Sequence, residues 1–224
     1  MRGIRCLMAT AVLPLALAPA AGAAQVDFEG LIAYDVNMGG MNMQITQMVK
    51  GALIRQEMQG PMGDVVSITD TDALVVTTLI PAQKMYMRMD MKAMMEQAAA
   101  QASQMKPPEP ADFKSTGENE TIAGHECEHY EFTRDGTSLD ICVAQGLGFV
   151  PFMSMGNQGA GMSHATSVEE WKKRFPNGFL PLRMSVTAQG QSMTMRATSI
   201  DRKSLGADLF KVPDGYTQMG GPGM

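Results

Sequence analysis

Short segments of alternating polarity follow one another between Val26 and Asp90 and are separated only by brief turns. In the first segment, Val26–Val36, apolar side chains recur at a period of two, which is the period of a half-buried β-strand. Strands joined by turns of a few residues pair with their sequence neighbours in the antiparallel sense. The N-terminal part of the chain is therefore restricted to an antiparallel meander. Its further strands are predicted at Met43–Lys50, Leu53–Met58, Val65–Thr69, Leu74–Leu79 and Lys84–Asp90.

The periodicity changes after Asp90. Apolar and small residues recur at helical spacing over 91–105, a run of good helix formers that ends before Pro107-Pro108. The remaining elements are predicted as a polar linker to Glu118, a hairpin of 126–133 and 137–143 around Asp135-Gly136, a mobile loop over 146–166, a short helix with Trp171 and Phe175, a hairpin of 180–188 and 192–200, and a helical turn over 205–210. The predicted fold class is mainly β with a few helices (α+β). We expect a single curved antiparallel sheet, or unclosed β-barrel, with helices across the opening.

Residues 1–23 have the build of a cleaved signal peptide. Arg2 and Arg5 precede an apolar stretch, and Ala21-Gly22-Ala23 offers small residues for cleavage. The apolar stretch is shorter than the roughly 20 residues that a membrane-spanning helix needs. We expect a periplasmic or secreted protein without a transmembrane segment, with one domain over residues 24–217 and a disordered tail over 218–224.

The charge and the motifs exclude several function classes. The chain has 18 Lys and Arg against 23 Asp and Glu, a formal net charge of −5, whereas a general nucleic-acid-binding protein carries a basic face. Nucleophile elbows, phosphate-binding loops, zinc-protease motifs and dinucleotide fingerprints do not occur in the sequence. The sequence therefore predicts a non-enzymatic protein that needs no cofactor, and it does not indicate an oligomeric state.

Cys127 and Cys142 are the two cysteines that remain after removal of the leader. An even number in an exported chain indicates a disulfide, and the hairpin at Asp135-Gly136 places the two cysteines on neighbouring strands. A metal site is the competing interpretation, because His125, Cys127 and His129 alternate on one face and Cys142 could be a fourth ligand. The distance of roughly 13 Å along the strand between the two histidines weighs against it. With a disulfide, His125 and His129 are expected to be ordinary surface or edge residues.

Methionine is the unusual component of the composition, with 23 residues. In the segment 85–91, four methionines occupy alternate positions, so one face of the predicted strand carries only thioethers. Three interpretations stay open: core packing, a deformable lining for an apolar ligand, and a copper(I) site. The candidate lining residues are Met43, Met85, Met87, Met89, Met91, Met94 and Met95.

Four segments carry a resemblance to a known family: 28–34 (FEGLIAY), 80–87 (IPAQKMYM), 121–127 (TIAGHEC) and 209–216 (LFKVPDGY). In this order, over roughly residues 26–217, the chain resembles the exported bacterial domain-of-unknown-function family 4412. That family is similar in outline to the periplasmic lipoprotein carriers, which implies a strongly curved, unclosed antiparallel barrel with helices across an apolar cavity. The resemblance implies no reaction and transfers no catalytic residue.

Together these features predict an exported binding protein whose partner is an apolar small molecule or lipid, such as a lipoprotein acyl chain, held in a methionine-rich cavity. Two alternatives remain. One is a periplasmic protein that binds copper(I) or another metal, and the other is a structural or interaction protein of the envelope with a packed core.

Overall fold

A computed structural model describes residues 28–60, 63–92, 96, 114–134, 136–150, 173–188 and 190–220. Within these ranges the chain forms thirteen strands and two short 3₁₀ turns, at Pro81–Gln83 and Ala207–Phe210. The strands are β1 (Glu29–Met38), β2 (Met41–Lys50), β3 (Leu53–Gln59), β4 (Val65–Asp70), β5 (Val75–Ile80), β6 (Met85–Asp90), β7 (Lys114–Ile122), β8 (His125–Arg134), β9 (Thr137–Ala144), β10 (Gly148–Phe149), β11 (Gly178–Ala188), β12 (Gln191–Arg202) and β13 (Thr217–Gln218). The predicted mainly β fold class is confirmed.

All thirteen strands belong to one large sheet. Twelve of them follow the order β13-β6-β5-β4-β3-β2-β1-β12-β11-β9-β8-β7, and β10 pairs beside β11. The predicted N-terminal meander is present as β1 to β6, each strand antiparallel to the next. Strand β1 also pairs with β12 and so joins this meander to the C-terminal half. The two ends of the order, β13 and β7, do not pair with each other, so the sheet is unclosed.

The sheet is strongly curved around its main core. The Tyr34 hydroxyl on β1 donates a hydrogen bond of 3.1 Å to the Pro181 carbonyl on β11, although β12 lies between these strands. Burial of this phenol raises its pKa. The core beneath it is built from Phe28, just before β1, and from aromatic and aliphatic side chains of β1, β8, β9, β11 and β12, including Ile32, Ile141, Phe179 and Leu182.

A second, smaller core lies on the opposite side of β4 and β5. Val66, Ile68 and Leu79 are covered by Leu205 and Phe210 of the segment that follows β12. We call residues 203–220 the C-terminal strap. It ends as β13, which adds to β6 in the parallel sense, and its last backbone contact is a 2.7 Å hydrogen bond from the Met219 amide to the Tyr86 carbonyl.

Three elements differ from the sequence prediction. The expected linker before Glu118 is strand from Lys114 onward, and Gly148–Phe149 within the expected loop is strand β10. Gln218, placed in the tail, belongs to β13. The segments are polar or very short and carry no alternation of their own. The partners of β10 and β13 are also distant in sequence.

The predicted helices lie largely outside the described residues. Met91, Lys92 and Glu96 are helical, as are Lys173 and Arg174, whereas the signal peptide at 1–23 and most of 91–105 fall outside the described ranges. Helices across the opening therefore remain a prediction. Among the residues that the structure covers, no helix is long and apolar enough to cross a membrane.

Candidate functional site

The two faces of the N-terminal meander differ sharply in charge. The register places the even-numbered residues of β1, β3 and β5 on one face with the odd-numbered residues of β2, β4 and β6. We call this the uncharged face, because it carries no Asp, Glu, Lys or Arg in these six strands. All charged side chains of the six strands project from the other face: Glu29, Asp35, Lys50, Arg55, Glu57, Asp70, Arg88 and Asp90.

Burial on the uncharged face falls from the centre of the sheet toward its edge. Ile32 on β1 and Val49 on β2 are both 0% exposed. On β4, β5 and β6 the apolar side chains of the same face are only half-buried: Val65, Val76, Ile80, Met85, Met87 and Met89. The outer strands therefore present an apolar surface that the described residues cover only in part.

The structure brings some of the candidate methionines together and separates others. Met85, Met87 and Met89 lie side by side on the uncharged face of β6, opposite Ile80, Thr78 and Val76 of β5. Met43 shares this face but lies on β2, with three strands between it and β6. Met91 follows β6, is half-buried, and its amide donates to the Leu74 carbonyl at 2.8 Å. Met94 and Met95 lie outside the described residues.

The predicted disulfide is present between Cys127 on β8 and Cys142 on β9. Their Cα atoms are 5.3 Å apart, and the bond spans 15 positions of sequence. In the register Cys142 lies opposite His129, so the bond runs diagonally between the two strands of the hairpin. Both cysteines are buried in the main core.

His129 is buried, at 7% exposure, and the expectation that it is a surface residue is wrong. Its Nδ1 lies 2.9 Å from Asp140 Oδ1 and its Nε2 lies 3.4 Å from Glu120 Oε2. Glu120 in turn accepts hydrogen bonds from Arg196 at 2.7 Å and from Arg183 at 3.3 Å. We call these five residues the polar brace. Only His129 is a candidate from the sequence. Glu120 and Asp140 lie on the strands on either side of it, β7 and β9, but are ordinary acidic residues there, and Arg183 and Arg196 come from strands that are distant along the chain.

The polar brace depends on the curvature of the sheet. Glu120 lies on the edge strand β7, and three strands separate it from β12, which carries Arg196. A 2.7 Å ion pair across that gap requires β7 to curl back toward β12. The brace therefore links the edge strand β7 to β12 across the curled C-terminal half.

The four candidate metal ligands do not form one open site. Donor atoms of Glu120, His129 and Cys142 lie within 4.8 Å of one another, but the sulfur of Cys142 is in the disulfide and carries no thiolate charge. The Cys127 sulfur is in the same bond. His125 is half-buried and pairs with Ile122 at the start of the hairpin, outside this group. In the oxidised state the arrangement acts as a packed ion-pair network.

Glu120 gives the brace a pH dependence with a defined sign. The hydrogen bond from Arg196, together with the positive charges of Arg196 and Arg183, holds the pKa of Glu120 below its ordinary value of 4.5. A carboxylate with a lowered pKa in the folded state stabilises that state above its unfolded pKa, and this contribution disappears as the pH falls through the folded pKa.

Substitution Glu120→Gln is therefore expected to lower the free energy of unfolding at neutral pH by about 1 kcal/mol, a value limited by the solvent exposure of both arginines. The difference from the original protein should shrink below about pH 4. Urea denaturation across pH 3–7 measures it. Glu126→Gln, an exposed position on neighbouring β8, is the matched control. A difference that persists unchanged at low pH would contradict this role of Glu120.

A shallow pocket of about 510 Å³ lies at the junction of β1, β2, β3 and β12, where polar residues of the other face meet Val36 and the candidate methionine Met43. Asp35, Asn37, Asn42, Gln44 and Arg196 contribute to its lining. Two of its contacts are internal, since Asn37 Nδ2 donates to Asn42 Oδ1 at 2.6 Å and Gln44 Nε2 donates to Asp35 Oδ1 at 3.5 Å. Because its amides and its arginine largely pair among themselves or with Glu120, this pocket is the weaker candidate for a binding site.

Comparison with known proteins gives a family but no activity. The model of DUF4412, a domain of unknown function, matches residues 28–216, and no curated protein matches the chain. Two solved structures of PNGF-II show a distant likeness. The one in space group C2 has 13% identity, a TM-score of 0.42, and coverage of 84% of this chain and 30% of its own. The one in space group P21 has 11% identity, a TM-score of 0.45, and coverage of 84% and 31%.

The chain thus spans about a third of the length of these two structures, and a likeness this distant carries no argument about function. The resemblance to periplasmic lipoprotein carriers stays a prediction. The family match covers far more than half of the sequence and includes every strand of the meander and both cysteines. The protein therefore belongs to the DUF4412 family.

Proposed function

We propose that this protein is an exported, non-enzymatic binding protein that holds an apolar ligand, a lipid or the acyl chain of a lipoprotein, against the outer part of its uncharged face. The observation that carries this proposal is the half-buried apolar surface of β4, β5 and β6, from which every charge is excluded. Contiguous apolar surface that is left partly exposed is typical of a binding region.

The residue types of β6 support the same function. Met85, Met87 and Met89 form an unbroken row of flexible, polarisable side chains along the edge of this surface. Methionine adapts its shape to irregular apolar partners at low cost, which suits ligands of variable chain length. The family has no reaction that could be carried over to the chain. The polar residues of the brace pair with one another between strands, so they do not offer a competing site.

Two features support the export part of the proposal. The first 23 residues have the composition of a cleavable leader. The disulfide between Cys127 and Cys142 is typical of an oxidising compartment such as the periplasm or the exterior.

Substitution Met87→Lys tests the proposal, because it places an ammonium group in the middle of the methionine row. We expect delipidated protein to bind a fluorescent fatty-acyl probe, and the variant to bind it at least tenfold more weakly, since a charge on an apolar contact surface must be desolvated. Fluorescence titration measures both affinities. Arg88→Glu is the matched control, because Arg88 is exposed on the other face of the same strand and the change should leave the affinity unaltered.

Two results would contradict the proposal: no probe uptake by the original protein, or equal uptake by the Met87→Lys variant. Thermal unfolding of both variants must accompany the titration, so that loss of binding is distinguished from loss of fold.

A further inference from the structure

A row of uncharged polar side chains crosses the uncharged face. In the register Gln47 on β2 lies opposite Gln56 on β3, Gln56 opposite Ser67 on β4, and Ser67 opposite Thr78 on β5. We call these four residues the polar row. With neighbouring strands about 4.8 Å apart, it extends roughly 14 Å across the sheet.

Mostly apolar rows flank the polar row on both sides. On one side Ile45, Met58 and Val65 lie opposite one another. On the other side Val49 lies opposite Ile54 and Val76 opposite Met89, and Thr69 of β4 is the one polar residue of that row. Amides and hydroxyls in a single line within an apolar surface are the arrangement that orients a mostly apolar ligand in its site.

The polar row has unused hydrogen-bonding capacity. Gln47 is only 2% exposed, yet within the part of the chain that the structure describes its side-chain amide has no hydrogen-bond partner, and the same holds for Gln56, Ser67 and Thr78. No described side-chain nitrogen or oxygen is both sealed from solvent and unpaired. The Gln47 amide therefore borders an opening and is not enclosed in the core.

Because the Gln47 amide borders an opening, it is open to water in the ligand-free protein, and a ligand that displaces this water must offer a hydrogen bond in its place. The side-chain amide of glutamine offers two hydrogen-bond donors and one acceptor, and the hydroxyls of Ser67 and Thr78 can each donate or accept a hydrogen bond. These side chains can therefore form hydrogen bonds with the ester carbonyls and the hydroxyl groups of a ligand. A carboxylate or ammonium group would meet no opposite charge on this face.

We propose that the polar row recognises the neutral ester and hydroxyl groups of an esterified acyl chain, as in an acylglycerol, and discriminates against the free fatty acid. This inference rests on the proposed function, because it assigns the headgroup of the same ligand. The acyl chain would lie along the apolar rows, and its ester would contact Gln47 and Gln56.

A competition experiment tests the inference. Monomyristoylglycerol, myristate and tetradecane each displace the fluorescent acyl probe from delipidated protein. We expect the acylglycerol to bind at least tenfold more tightly than myristate. In the double variant Gln56→Leu/Thr78→Val this preference should fall to about twofold or less, with tetradecane binding unchanged. The control Gln59→Leu/Thr77→Val alters the same residue types on the same strands, but on the other face, and should retain the preference.

A second measurement is independent of the probe. Gln47→Leu should leave the melting temperature of the ligand-free protein unchanged or raise it, because the amide has no hydrogen-bond partner among the described residues, and it should abolish the preference for the acylglycerol. A lowered melting temperature would mean that Gln47 has a structural partner, and would overturn the inference.

The outcomes distinguish failure of headgroup recognition from failure of the proposed apolar binding. Probe binding without any headgroup preference overturns the inference and leaves apolar binding intact. Exclusion of every probe by the original protein overturns both, as expected if a segment of the chain itself fills this face.

Discussion

Substitution Gly30→Ala should destabilise the protein by about 3 kcal/mol or more, the combined cost of backbone strain and overpacking. Gly30 has φ +152°, and a Cβ at this position would lie 2.3 Å from the Asp201 carbonyl oxygen and 2.9 Å from the Arg202 Cα. Both neighbours are backbone atoms of β12 and have no rotamer to change. Because β1 alone joins the meander to β12, the clash disrupts the connection between the two halves of the sheet.

Equilibrium urea denaturation measures the effect of Gly30→Ala. Gly206→Ala is the matched control, because Gly206 has φ −67° and a Cβ there would meet nothing within 4 Å. The control should lie within about 0.5 kcal/mol of the original protein. Equal stability of the two variants would show that β1 and β12 do not approach as closely as described.

Removal of the disulfide has the second large effect. In the double variant Cys127→Ala/Cys142→Ala the unfolding free energy should fall by about 3 kcal/mol, because the bond closes a loop of 15 positions and so restricts the unfolded chain. Both positions are sealed from solvent, so the smaller side chains also reduce the packing of the hairpin.

A thiol reductant provides the control for this second effect. It should shift the urea midpoint of the original protein toward that of the double variant, and it should leave the double variant unchanged. An original protein that is indifferent to reduction under denaturing conditions would contradict a stabilising role for the bond.

Local features of the sequence were sufficient to predict the meander and the disulfide. Each hairpin from β1 to β6 joins neighbours in the chain, so the alternation of polarity and the turn residues specify both partners. The same argument places Cys127 beside Cys142, because the turn that the residues Asp135-Gly136 predict lies between them. For the same reason the methionines at 85, 87 and 89 were correctly assigned to one face of one strand.

Contacts between distant segments could not be predicted in this way. Strand β7 pairs with the next strand, β8, but its first residues are polar without alternation and therefore predict a linker up to Glu118. Glu120 meets Arg196 across 76 positions of sequence, and nothing near either residue indicates the other. The polar row was missed because each of its members is an ordinary polar residue within its own strand. Only the register places the four in line.

The C-terminal strap has a consequence for the behaviour of the protein in solution. Without β13, strand β6 would present an unpaired backbone together with a row of three methionines. An apolar strand left open in this way is a template for pairing with a second molecule and for growth of fibrils. Thr217 and Gln218 pair with the first two residues of β6, Met85 and Tyr86, and so protect the start of this edge from pairing with a second molecule.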